Sequence, residues 1–430
     1  MKHVGEFRLP TVFFRVNIDS NIGKLSFRKG AGRMSYLQVS KSLTLPGDLT
    51  IKNRFFKSAM SETMALENGR PTNLIANLYH RWALGGWGVI VTGNVMVDHQ
   101  AMAEPGNVVV EDRRNLDILS RWAEAATINH TQLWMQLNHP GRQSPRIFSE
   151  QPVAPSPIKI TGVNGRYFNE PRELRTYEVK QLVTKYIKTA AIAQIAGFTG
   201  VQLHGAFGYL INQFLSKTTN QRTDQYGGSL ENRMRFLVEI YQGIRESCGS
   251  RFAISLKLSL TDINVSGFTE DEMTAVIQKM AGLGINLIEI AGDDYETSQL
   301  GFSGYAHMIR QLVNVPIVLS GGFRNISTME EALGRDDADM IGICTAASII
   351  FDLPDQVLNE RYQPVSVNLT TGSRHLDEKY QSLMVTSYCE QQARRIAEGK
   401  RPQRYTSGWR AIAACVKMHG PEGLVPRRPV

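Results

Sequence analysis

The stretch TYEVKQLVTKYIKTAAIAQIAGFTGVQLH, residues 176–204, contains a complete helix-to-strand unit. Thr176 with Glu178 opens a long Ala-rich helix, because an acidic side chain near the first turn meets N–H groups that have no partner within the helix. Gly197 closes it, since glycine accepts the left-handed conformation at a helix end. A short apolar run, Gly200 to His204, then stops on a polar residue.

The same alternation extends in both directions. Short β-branched or apolar runs occupy Ile51 to Ala59, Gly88 to Gly93, Leu133 to Asn138, Phe252 to Ser259, Leu287 to Ala291, Pro316 to Ser320 and Asp339 to Ile343, with amphipathic stretches between them. Thr269 and Glu272 form a capping box before one of these. Strands separated by helices demand a parallel sheet covered by helices, and about eight of them is the number that closes an α/β (β/α)8 TIM barrel. A doubly wound open sheet competes, but it expects a glycine fingerprint after its first strand, and Ser58 to Thr63 contains no glycine. One barrel domain, residues 36–430 with a closing helix at 377–398, accounts for the body of the chain.

Composition agrees: 430 residues, 42% hydrophobic and 20% charged, are ordinary for a globular protein. The net charge of +8 looks like a nucleic-acid signal until it is divided along the chain. In residues 1–35 seven basic residues oppose only Glu6 and Asp19, a surplus of five, so the body is near neutral and no nucleic-acid partner is expected. This prefix reads as a targeting peptide, a strand-forming cap over Thr11 to Ile18, or a dispensable translated extension ahead of Met34, the last being favoured. No apolar run is long enough to span a membrane. Cys248, Cys344, Cys389 and Cys415 have no metal-ligand spacing, so no metal is expected, and a reducing, cytoplasmic setting fits. The oligomeric state stays open.

In a TIM barrel the chemistry sits at the C-terminal strand ends. The polar residues closing or just following the runs are Ser61, Asn94, Gln136, His204, Lys257, Ser320 and Thr345. After the seventh run, Ser320-Gly321-Gly322-Phe323-Arg324 would let backbone N–H groups approach an anion, although a tight turn is the bland alternative. Gln136 and Lys257 also suit an interior barrel layer, but a buried lysine needs a partner, and a ligand charge would supply one.

The segment VQLHGAFGYLINQFL, residues 201–215, together with Asn220 to Arg222, Asp224, Tyr226 to Ser229 and Glu231 to Arg233, closely resembles the old yellow enzyme family of FMN-dependent ene-reductases. Residues 53–61 (NRFFKSAMS), 136–142 (QLNHPGR) and Ser320-Gly321-Gly322 resemble it at the first, third and seventh strands. The resemblance implies an enzyme that uses NAD(P)H to reduce FMN and then reduces an activated C=C bond of a small-molecule substrate. It implies an isoalloxazine ring held by the backbone of Ala59 and Met60, the Ser61 hydroxyl, Asn94 and the Gln136 amide, with Lys257 placing positive charge near the reduced ring. It implies a phosphate on Ser320, Gly321, Gly322, the Gly342 turn and Thr345. His204 would hydrogen-bond the substrate carbonyl and Tyr209 would supply a proton, as an unperturbed phenol keeps its proton at neutral pH. Arg222 to Arg233 and the pair Asn53-Arg54 read as fold-holding.

Two positions depart from the family pattern. Phe207 stands where the family usually has the second His or Asn of a carbonyl-gripping pair, and so becomes a substrate-contacting residue. Thr345 stands where a phosphate-binding Arg is typical, a loss of about 1.5–3 kcal/mol unless Arg324 compensates. These departures leave a second reading, a flavin-binding barrel with little ene-reductase activity and a binding or regulatory role. An iron-sulfur dienoyl-CoA reductase is disfavoured, since the cysteine cluster it needs is absent. Specificity is expected from the Pro- and Gly-rich loop Arg146 to Arg175, as a partial lid.

Overall fold

The computed structural model describes residues 37–263, 267–292, 295 and 302–424; the basic extension falls outside them. Eight parallel strands form the closed sheet: β1 (Phe55–Lys57), β2 (Val89–Met96), β3 (Gln132–Asn138), β4 (Gly200–His204), β5 (Ala253–Ser259), β6 (Leu287–Ala291), β7 (Ile317–Ser320) and β8 (Met340–Ile343). The ring closes through β8 pairing with β1 and β1 with β2. A helix follows each strand: α1 (Asn73–Leu84), α2 (Leu116–Ala126), α3 (Thr176–Ala196), α4 (Leu230–Cys248), α5 (Glu270–Gly282), α6 (Phe302–Leu312), α7 (Ile326–Gly334) and α8 (Leu353–Leu358). This is the (β/α)8 barrel that the alternation of runs predicts.

The helix signals act as expected. The Glu178 carboxylate accepts from the Arg175 N–H at 2.8 Å, and Gly197 ends α3 at φ +99°. Thr269 Oγ1 accepts from the Glu272 N–H at 3.2 Å. The first predicted run is divided, because Asn53 forms a turn within it: its Oδ1 accepts from the Phe55 N–H at 3.1 Å and its Nδ2 donates to the Gly86 carbonyl at 2.7 Å. Leu49–Ile51 therefore leaves β1 and pairs antiparallel with Leu43–Leu45.

Period-two alternation sorts the barrel interior into layers. Leu45 and Ile51 of that hairpin pack with Phe56, Val89, Trp134, Ala253, Leu287, Val318 and Met340 in an apolar lower layer. Two or four residues further along the same strands stand Gln136, Lys257, Glu289 and Ser320, all buried and polar. Outside the ring, the Arg222 guanidinium binds Asp224 and the carbonyls of Pro155 and Leu174, while Arg233 pairs with Glu272 at 2.6 Å. These contacts hold loops and helices together, the role expected of that segment.

The tail holds the expected closing helix and one more. The closing helix starts earlier, as α9 (Arg374–Ala397), and a further helix follows, α10 (Gly408–His419). α9 packs on α1, and α10 on α9.

Candidate active site

The C-terminal strand ends open into a cleft of two adjoining parts. Ser58, Ser320, Gly321, Gly322, Arg324 and Gly342 help line one of about 440 Å³. Met60, Ser61, Asn94, Gln136, His204 and Tyr209 help line the other, about 230 Å³. Ala59, Phe207, Lys257, Cys344, Thr345 and Val385 border both. Every site residue singled out in the sequence thus lines one cleft.

Local departures from regular structure aim these side chains. β2 carries a register shift against β3 between Val91 and Asn94. Across it the Gln136 N–H donates to Thr92 Oγ1 at 2.9 Å, and the Gly93 N–H to Glu62 Oε1 at 2.8 Å. Such a bulge re-aims the next side chain, and Asn94 is left half-buried at the mouth. Gly93 is required there, since a Cβ would lie 2.6 Å from the Met60 carbonyl oxygen.

Inside the barrel, Lys257 Nζ donates to Glu289 Oε1 at 2.9 Å, and Ser320 Oγ donates to the same oxygen at 2.7 Å. Gln202 Nε2 donates to Glu289 Oε2 at 2.9 Å and Gln136 Nε2 to Gln202 Oε1 at 2.8 Å. Burial alone would raise the Glu289 carboxyl, but Lys257 and the hydrogen bonds from Ser320, Lys257 and Gln202 hold it below the usual carboxylate range. The partner that the sequence reading sought for Lys257 in a ligand is therefore Glu289. The Ser320 hydroxyl is likewise turned into the barrel.

Two further expectations need correction. Gly342 lies within β8 rather than in a turn, and it is glycine because a Cβ would meet Ser320 Cβ at 2.5 Å and Ser58 Oγ at 2.7 Å. The loop Arg146 to Arg175 contributes nothing to the cleft wall among the described residues; Ser149, Pro152 and Arg172 border a separate cavity of about 210 Å³.

His204 Nδ1 accepts from the Ala206 N–H at 3.3 Å, which assigns the proton of the neutral ring to Nε2. The Tyr209 ring meets it edge-on at 4.9 Å and Phe207 at 5.8 Å. Phe207 sits at φ +59°, a conformation that costs a bulky residue about 1–3 kcal/mol. Its backbone is held at both ends, the N–H donating to Asp262 Oδ2 at 2.7 Å and the carbonyl accepting from Gln143 Nε2 at 3.0 Å. Lys257 Nζ lies 5.6 Å from the centre of its ring.

Sequence reasoning missed the groups behind the site. The Ser61 hydroxyl donates to Glu104 Oε1, which also accepts from Asn107 Nδ2 at 3.2 Å. Nearby, His419 of α10 places Nε2 3.2 Å from Glu390 Oε2 and 3.4 Å from Thr63 Oγ1. Lys57 is buried over the Trp82 ring at 4.2 Å and donates to the Val91 carbonyl, while the Tyr79 hydroxyl donates to Glu62. Burial lowers the Lys57 pKa and raises that of Glu62, each opposed by the other's charge. The signal available was a charged residue, Lys57, inside the first run, with Glu62 just after it.

Residues 43–362 match the NADH:flavin oxidoreductase / NADH oxidase family. The chain is 32% identical over 361 residues to the NADH-dependent flavin oxidoreductase iliE of Hypocrea jecorina, covering 76% of this chain and 90% of that one. It is 34% identical over 363 residues to iccE of Talaromyces variabilis, another NADH-dependent flavin oxidoreductase, covering 76% and 87%. Among solved structures it resembles the old yellow enzyme homologue from Zymomonas mobilis, with a TM-score of 0.69 at 26% identity over 77% of this chain and 94% of that one. Morphinone reductase in complex with tetrahydroNAD gives 0.67 at 26% identity, covering 77% and 92%. The matched span includes every strand of the barrel and every side chain that the sequence placed at its mouth, and the chain belongs to the NADH:flavin oxidoreductase / NADH oxidase family, oxidoreductases of the old yellow enzyme type that use FMN with NAD(P)H as reductant.

Proposed function

We propose that the chain is an ene-reductase that reduces the C=C bond of an α,β-unsaturated carbonyl compound, with an altered carbonyl site. The observation that carries this reading is the meeting of His204, Tyr209 and Lys257 in one cleft with the glycine turn after β7. The residues fit FMN. Ser58 Oγ is buried beside the Gly321-Gly322 turn with no hydrogen-bond partner among the described residues, as expected of a group that meets a ligand. Gly322 at φ +67° opens the backbone there, and Lys257 brings a cation to the part of the cleft shared with His204.

Gly321, Gly322 and Thr345 would hold the phosphate, and Ala59, Met60, Asn94, Gln136 and Lys257 the ring. When bound, FMN supplies hydride transfer between NAD(P)H and the substrate. His204 donates from Nε2 to the substrate carbonyl oxygen, where negative charge gathers as the enolate forms. Tyr209 holds a proton on its phenol oxygen and delivers it to the α-carbon. The Ser61 proton is engaged by Glu104, so Ser61 offers the ring an acceptor oxygen.

Protein purified with FMN is expected to retain about one flavin per chain, released on heating and read by its visible spectrum. A colourless protein with no uptake in equilibrium dialysis would overturn the assignment. Tyr209→Phe is expected to slow reoxidation of the reduced flavin by an enone by about 10²–10⁴-fold, while reduction by NAD(P)H stays largely intact. Equal slowing of both half-reactions in stopped flow would make Tyr209 structural.

Phe207 supports a second reading, a flavin barrel with little reductase activity, because it fills the place of a carbonyl donor. Flavin reduction by NAD(P)H without reoxidation by any activated alkene would favour that reading.

A further inference from the structure

We infer that the tail helix α9 forms the substrate-facing wall of this cleft and sets the width of compound that reaches His204 and Tyr209; the inference rests on the ene-reductase reading above. Ser382, Val385, Thr386 and Cys389 all border the part of the cleft that holds His204 and Tyr209. Their spacing of three, four and seven residues places them on one face of the helix. Of the four, only Val385 also borders the phosphate end. Ser382, Thr386 and Cys389 therefore border only the part that holds His204 and Tyr209 together with Met60, Ser61, Asn94 and Gln136.

The wall is fixed rather than loosely draped. α9 packs on α1 and α10 on α9, Glu390 of α9 meets His419 of α10 at 3.2 Å, and Trp409 Nε1 donates to the Thr371 carbonyl at 3.0 Å. Its four cleft-facing side chains are all small. They leave room where a larger residue would close the cleft, so a single enlargement changes what fits without touching His204, Tyr209 or Lys257. The span matching the family ends at residue 362, before α9 begins at Arg374.

The test compares Thr386→Trp and Thr386→Ala with the parent protein, all loaded with FMN. Two enones are used, cyclohex-2-enone and its 4-phenyl derivative, together with the corresponding saturated ketones, whose binding is read from perturbation of the flavin spectrum. Thr386→Trp is expected to lower kcat/KM for the phenyl enone relative to cyclohexenone by about tenfold or more, the scale of a one-group clash in an apolar pocket. The shift should lie mainly in KM. Thr386→Ala is expected to move the ratio the other way, and FMN affinity should stay within about twofold in both. An unchanged ratio in FMN-loaded variants overturns the inference. Loss of FMN affinity without a change of ratio also overturns it, by showing that the wall faces the cofactor. If the parent turns over neither enone, the ene-reductase reading fails by itself, and the saturated ketones still report whether α9 sets ligand width.

Discussion

Phe207→Asn is expected to raise the rate at which an enone reoxidises the reduced flavin by up to about 10²–10³-fold. Removing one oxyanion donor from an acyl-transfer site costs that much, because the donor acts only where negative charge develops, and Phe207 has no side-chain donor. Asparagine brings an amide N–H₂ to the same place. It also suits the backbone there: φ is +59°, and Asn tolerates the left-handed region far better than Phe. The anchors from Asp262 and Gln143 are made to backbone atoms, so the substitution keeps them. The measurement is stopped-flow reoxidation of dithionite-reduced protein by cyclohex-2-enone, with flavin content determined in parallel. A variant that keeps FMN and gains no rate would show that the carbonyl site is not limited by a missing donor.

The second large effect is on stability. Glu289→Leu is expected to destabilise the protein by about 3–5 kcal/mol, because Lys257, Ser320 and Gln202 all lose the carboxylate they share in a closed interior. Adding Lys257→Met to that variant should recover much of the loss, since an apolar pair replaces an unpaired buried charge. Urea midpoints of the FMN-free proteins measure both. Equal stability of Glu289→Leu and the parent would mean that Lys257 finds other solvation. The same pair fixes a pH dependence. The Glu289 carboxyl is held down in the folded state, so its contribution is fully present above the unfolded carboxylate pKa of about 4.3 and is lost as pH falls below it. The parent should therefore lose stability toward low pH through this group, and the double variant should lose less.

The contrast between these two sites shows how far the chain could be read. His204 ends β4 and Phe207 and Tyr209 follow within five residues, and a strand end close to its loop is a local feature. So is the Ser320-Gly321-Gly322 turn. The partner of Lys257 was not legible, because Glu289 is 32 residues away and only the pairing of β5 with β6 sets them side by side. Glu104 stands 43 residues from Ser61 and is equally invisible to any short pattern. The expected lid at 146–175 failed for the same reason: Pro and Gly content marks a loop but not the side of the barrel it covers.

What the amino-acid sequence determines by itself is the ring and its working end. Apolar runs separated by amphipathic helices admit a parallel closed sheet, and the residue type that ends each run selects the mouth. The tertiary structure alone decided which polar groups neutralise one another there, that Phe207 stands in a left-handed conformation, and that α9 rather than the 146–175 loop walls the cleft. The physical reason is range. Periodicity encodes which face of an element is buried, over a few residues, whereas closing the barrel and docking the tail bring together side chains tens to hundreds of residues apart, and their charges and volumes interact only once that closure has been made.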